Sequence, residues 1–115
     1  MNINQYGQFT VDMWFSHNKP DGEPLFTTEE ERSLAIMALG LAGENGEVIE
    51  HIKKAIRDNY LDRDALKKEL GDAVFYWTRI CKFFGFEPSD VLAANVEKLE
   101  SRRTRGVLRG DGDNR

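Results

Sequence analysis

The sequence predicts an all-α, four-helix-bundle-like domain. Three observations carry this. Apolar residues recur at a period near 3.6 in the long central segments, and no segment alternates with period two. Helix-capping residues and Gly or Pro punctuation divide the chain at regular intervals. The 115 residues, 40% of them hydrophobic and 31% charged, fit one domain with apolar content for a core.

Ile3, Tyr6, Phe9 and Met13 place an amphipathic helix from Ile3 to about Trp14, with Gly7 as a weak point. From His17 to Phe26, Asn18, Pro20, Asp21, Gly22 and Pro24 read as a loop. Residues 1–26 thus form an N-terminal helix and loop. Thr28 with Glu31, or Thr27 with Glu30, offers a capping box for the second helix. That helix carries an apolar stripe of Leu34, Met37, Leu41, Val48, Ile52 and Ile56, with Gly40, Glu44, Glu47 and His51 on a stripe beside it. Asn59–Asp62 reads as a turn. Leu66 to about Phe84 forms the third helix, stopped by Gly85. Pro88, Ser89 and Asp90 open the fourth, which runs to about Arg103 around Leu92, Val96 and Leu99. Residues 104–115 are a Gly- and Arg-rich tail, which either frays or wraps an anion with backbone N–H groups and Arg forks. The whole reads as a single domain, 1–115.

The net charge of −4 argues against a general nucleic-acid binder. Acids predominate before residue 73, while Arg102, Arg103, Arg105 and Arg109 cluster near the end. Cys81 is the only cysteine, so no intrachain disulfide forms, and a reducing compartment is expected. With no apolar run of membrane-spanning length and no signal-peptide pattern, the expectation is a cytoplasmic protein without membrane association. A domain this small gains from assembly, which points to a homodimer or homotetramer.

Two acidic phrases carry the chemistry. Glu44-Asn45-Gly46-Glu47 and Glu69-Leu70-Gly71-Asp72 each set two carboxylates three residues apart on one helix face, with Cβ atoms roughly 5–6 Å apart. Both pairs border apolar stripes, whereas ordinary solvating charge points away from them. Bringing four carboxylates together calls for a hard divalent cation, Mg²⁺ or Mn²⁺. A single cysteine and two histidines disfavour zinc, and the absence of a Glu-x-x-His phrase disfavours a di-iron centre. Gly40, Gly43, Gly46 and Gly71 each cost roughly 0.5–1 kcal/mol within a helix. Close helix approach or room for a ligand would account for them. Lys54, Asn95, Lys98 and Arg102 lie on neighbouring stripes and suit a polyphosphate. Trp14, Tyr76 and Trp77 either stack on a base or belong to the core. His51 borders the acidic stripe, and Cys81 reads as a small buried hydrophobe.

The run Gly40-Leu41-Ala42-Gly43-Glu44-Asn45-Gly46-Glu47-Val48-Ile49-Glu50, the Lys53-Lys54 pair and Glu69-Leu70-Gly71-Asp72-Ala73 resemble the MazG-like nucleoside triphosphate pyrophosphohydrolases. The resemblance spans about residues 33 to 115 and includes Asn95, Lys98, Leu99 and the Gly-Asp-Gly-Asp-Asn-Arg tail. It departs from many family members at Gly43, where they carry an additional Glu. It implies a MazG-type, oligomeric all-α fold that hydrolyses an NTP or dNTP to the monophosphate and pyrophosphate in nucleotide clearance or recycling. By the same resemblance Glu44, Glu47, Glu69 and Asp72 hold Mg²⁺, and Glu44 or Glu47 orients or deprotonates the attacking water. Lys54, Asn95, Lys98 and Arg102 hold the phosphates. A non-catalytic metal-binding or protein-interaction helical dimer is the alternative on the same residues.

Overall fold

The computed structural model describes residues 1–17 and 21–115, with the side chains of 15–17 excepted. Among the described residues there are four α-helices and no strand: α1 (Ile3–His17), α2 (Thr28–Asp58), α3 (Arg63–Phe83) and α4 (Pro88–Thr104). Part of the predicted loop, residues 18–20, lies outside the described residues; 21–27 are non-helical, as expected. The chain divides into two compact units, Met1–Glu31 and Arg32–Arg115.

In the first unit α1 begins with a reciprocal cap. The Gln5 N–H donates to Asn2 Oδ1 at 2.9 Å, and the Asn2 N–H donates to Gln5 Oε1 at 2.8 Å. This satisfies two backbone donors that a helix start leaves unpaired. The helix continues three residues past the predicted Trp14, to His17. Of the two capping boxes available to α2, Thr27 with Glu30 forms. The Glu30 N–H donates to Thr27 Oγ1 at 3.1 Å, and the Thr27 N–H donates to Glu30 Oε1 at 2.9 Å.

The second unit holds the rest of α2, together with α3, α4 and the tail. Asn59, with φ at +53°, turns the chain after α2. Asp62 caps α3 by accepting from the Ala65 N–H at 3.0 Å, which starts that helix three residues before the predicted Leu66. Its end is a Schellman motif. Gly85 takes φ +76°, the Phe86 N–H donates to Cys81 O and the Gly85 N–H donates to Lys82 O. α4 opens on Pro88 and ends on the same motif, with Gly106 at φ +73°.

α3 and α4 pack closest together, whereas no Cα of α2 comes within 8 Å of a Cα of α3. Those two helices meet without close approach of their backbones to each other. Cys81 is buried, as its sequence context predicts. The expected core stripes are a different matter: Ile52, Ile56, Leu92, Val96 and Leu99 are all exposed, Ile56 at 80%. The period of a helix fixes which face is apolar, not which element covers it: Leu34, Met37, Leu41 and Val48 of the α2 stripe are half-buried, while among the described residues little covers its C-terminal end or the stripe of α4.

Candidate metal and nucleotide site

The long α2 and the capped α3 carry their acidic phrases past each other in opposite directions. Glu44, Glu69 and Asp72 come together, each offering an oxygen within 4.8 Å of the others. Glu44 and Glu69 are half-buried and Asp72 is exposed. Glu47 stands outside this trio, exposed on α2. Three residues beyond Glu44 it lies 300° around the helix, on the flank of the cluster.

The trio strains against its own charge. Partial desolvation raises the pKa of Glu44 above the usual carboxylate value. The hydrogen-bond contact with Glu69 adds to this, followed by the charges of Asp72, Glu69 and Glu47. Among the described residues no Lys or Arg pairs with the three carboxylates; the one basic neighbour is His51, whose Nε2 lies 3.9 Å from Glu69 Oε1. Hard, anionic, uncompensated oxygens on two helices are the donor set that suits Mg²⁺ or Mn²⁺.

Residues 32–107 match the model of the MazG nucleotide pyrophosphohydrolase domain. The chain belongs to this family. The Gene 37 protein of Mycobacterium phage L5 is 39% identical to it over 87 residues, covering 71% of this chain and 76% of that relative. No solved structure matches it. The MazG domain carries with it a nucleotide as the substrate class and covers every residue of the trio.

The predicted phosphate contacts of this MazG chain sit in three environments. Lys54 and Asn95 are exposed, and neither bonds to the trio. Lys54 contributes to holding the carboxyls of Glu50 and Asp58 below their ordinary values, behind the larger effects of Lys53 and Arg57 respectively. Lys98 Nζ lies 3.3 Å from Asp113 Oδ1, in the tail. Arg102 is buried, 4% exposed, and its Nη2 donates to Gly112 O at 3.3 Å, to Asp113 O at 3.0 Å and to Asp113 Oδ1 at 3.3 Å. Its Nε has no partner.

Arg102 therefore anchors the C-terminal tail of the MazG chain. Arg115 completes the clasp by donating to Val107 O and Leu108 O, each at 3.1 Å, and to Gly112 O. Of the two behaviours open to the tail in the sequence, fraying is set aside. The tail wraps a guanidinium with carbonyl oxygens, the reverse of wrapping an anion.

Two further residues gain a place that composition and spacing left open. His51 faces Glu69 across the helices. Tyr76 lies against Gly40, a contact foreshadowed by an otherwise costly glycine in mid-helix. A Cβ at Gly43, Gly46 or Gly71 would meet nothing within 4 Å, so these positions leave open space beside the acids. Among the described residues no helix is long and apolar enough to cross a membrane.

Proposed function

We propose that this MazG-family chain is a divalent-metal-dependent nucleoside triphosphate pyrophosphohydrolase, acting on an NTP or dNTP to give the monophosphate and pyrophosphate in nucleotide clearance or recycling. The observation that carries the reading is the convergence of Glu44, Glu69 and Asp72 from two helices inside the segment that matches the family. These three would hold Mg²⁺ or, in its place, Mn²⁺, with Glu47 at their flank left free of the ion. Bound there, the ion supplies charge neutralisation for the triphosphate and acidifies a water.

The chain's own groups do the rest. Glu47, exposed and outside the trio, is assigned the proton of the attacking water, a role its free carboxylate supports. That water adds to a phosphorus of the α–β anhydride, the bridging P–O bond breaks, and pyrophosphate leaves. Lys54 on α2 with Asn95 and Lys98 on α4 are assigned to phosphate oxygens. Arg102 is assigned an indirect part, ordering the tail, since its guanidinium is already engaged with Gly112 and Asp113.

The working form is a homodimer or homotetramer. Supporting this, Leu39, Ile49, Ile56, Phe75, Leu92 and Val96 are each more than half exposed in one copy. A second copy would bury them at roughly 25 cal/mol per Å² of apolar surface.

Product analysis by anion-exchange chromatography tests the reaction. Equal amounts of monophosphate and pyrophosphate, dependent on Mg²⁺ and abolished by EDTA, are expected. Diphosphate with orthophosphate would refute it.

A further inference from the structure

Gly40 precedes Glu44 by one helical turn on α2, and Tyr76 follows Asp72 by one turn on α3. Because the two helices run in opposite directions, these positions meet just beyond the carboxylates. The His51–Glu69 approach lies at the other end. At Gly40 the half-buried Tyr76 ring lies directly on the helix backbone. A Cβ there would overlap Tyr76 Cε1 and would meet Cζ and Cδ1 at 2.5 and 2.6 Å, closer than real Cβ atoms come.

The ring is thus a spacer. No Cα of α2 comes within 8 Å of one in α3, so backbone contact does not set the separation of the two helices. That separation governs metal binding, because Glu44 is on one helix and Glu69 and Asp72 are on the other. With Mg–O bonds near 2.1 Å, two oxygens of one ion are at most about 4.2 Å apart. The trio's oxygens already lie within 4.8 Å of one another, close to that limit, so a change in the α2–α3 gap moves Glu44 relative to the other two ligands. Productive sites are held to about 0.5 Å.

We propose that Tyr76, seated on the bare backbone of Gly40, is a positioning residue that sets the α2–α3 gap across which Glu44, Glu69 and Asp72 grip a divalent cation. This rests on the metal-binding reading above. The ring fills the gap by its bulk, since the Tyr76 hydroxyl has no hydrogen-bond partner among the described residues, and phenylalanine should serve equally.

The test is Mn²⁺ titration, following the free ion by electron paramagnetic resonance, with circular dichroism as a check on folding. The proteins are wild type, Gly40→Ala, Tyr76→Ala, Tyr76→Phe and the Gly40→Ala/Tyr76→Ala double variant. Gly40→Ala and Tyr76→Ala should each weaken Mn²⁺ binding about tenfold, in line with other groups that orient metal ligands. Tyr76→Phe should bind as wild type. The double variant should bind no more weakly than Tyr76→Ala, because without the ring the added Cβ has nothing to strike. If Tyr76→Ala loses its helical signal, Tyr76→Leu takes its place. Wild-type affinity in folded Gly40→Ala and Tyr76→Ala, whatever their melting temperatures, overturns the positioning role alone. Absence of Mn²⁺ binding by the wild type overturns the metal site, and the positioning role with it.

Discussion

His51 Nε2 on α2 lies 3.9 Å from Glu69 Oε1 on α3, each side chain 24% exposed. The distance is too long for a hydrogen bond and short enough for a single movement of either side chain to make one. A carboxylate that binds metal is best oriented by such a partner. Replacing His51 by alanine should raise the Mg²⁺ concentration needed for half-maximal turnover about tenfold. The rate at saturating Mg²⁺ should change less. Turnover measured against Mg²⁺ concentration separates the two.

Glu47 and the trio differ in what they lose on neutralisation. Because Glu47 lies outside the three converging carboxylates, Glu47→Gln should bind Mn²⁺ within a few-fold of wild type. As the proposed proton acceptor, it should lose turnover by about 10²–10⁴. Parallel Mn²⁺ titration and single-turnover kinetics check this. Equal loss of binding and turnover would make Glu47 a metal ligand instead.

The tail clasp has a defined pH response. The Asp113 carboxyl is held below its ordinary value near 3.8, first by the hydrogen bond from Arg102 and then by that from Lys98. A depressed carboxyl contributes stability that is fully present above the unfolded value and lost as pH falls through the folded one. The tail should therefore stay protected from neutral pH down to about 4 and loosen below that. Asp113→Asn should loosen it at neutral pH. Hydrogen exchange of residues 107–115 across that range reads both effects.

Leu92 and Val96 lie on the apolar stripe of α4, 58% and 54% exposed. If a second copy covers them, Leu92→Asp buries a charge in that interface and should shift the protein to monomer, seen by sedimentation velocity. A helical monomer in the wild type would contradict the assembly.

Much of this was legible because it is local. The Thr27/Glu30 box, the Asn59 turn, the Gly85 stop and Pro88 at the head of α4 act within a few residues, and the structure uses each of them. The earlier start of α3 was also local, since Asp62 is a good cap that apolar periodicity does not register. Among the acids, i and i+3 spacing placed Glu44 and Glu47 on one stripe without showing which faces α3; that depends on helix rotation, and it brings Glu44 in and leaves Glu47 out. The tail was least legible. Its hold on α4 joins Arg102 to residues ten and eleven positions away, partly through the Asp113 carboxylate and partly through backbone carbonyls, and the carbonyls leave no trace in side-chain pattern. The exposed stripes of α2 and α4 have a periodicity that would look the same whether covered by this chain or by another.

The most direct test of the carboxylate site as the seat of nucleotide hydrolysis is pyrophosphate release from a panel of NTPs and dNTPs, with Mg²⁺ or EDTA, by the wild type and Asp72→Asn. Mg²⁺-dependent release by the wild type is expected. Asp72→Asn should fall by more than the roughly 10–100-fold typical of groups that only orient metal ligands, while keeping the helical fold. Undiminished release by Asp72→Asn, or none from any nucleotide by the wild type, would contradict it.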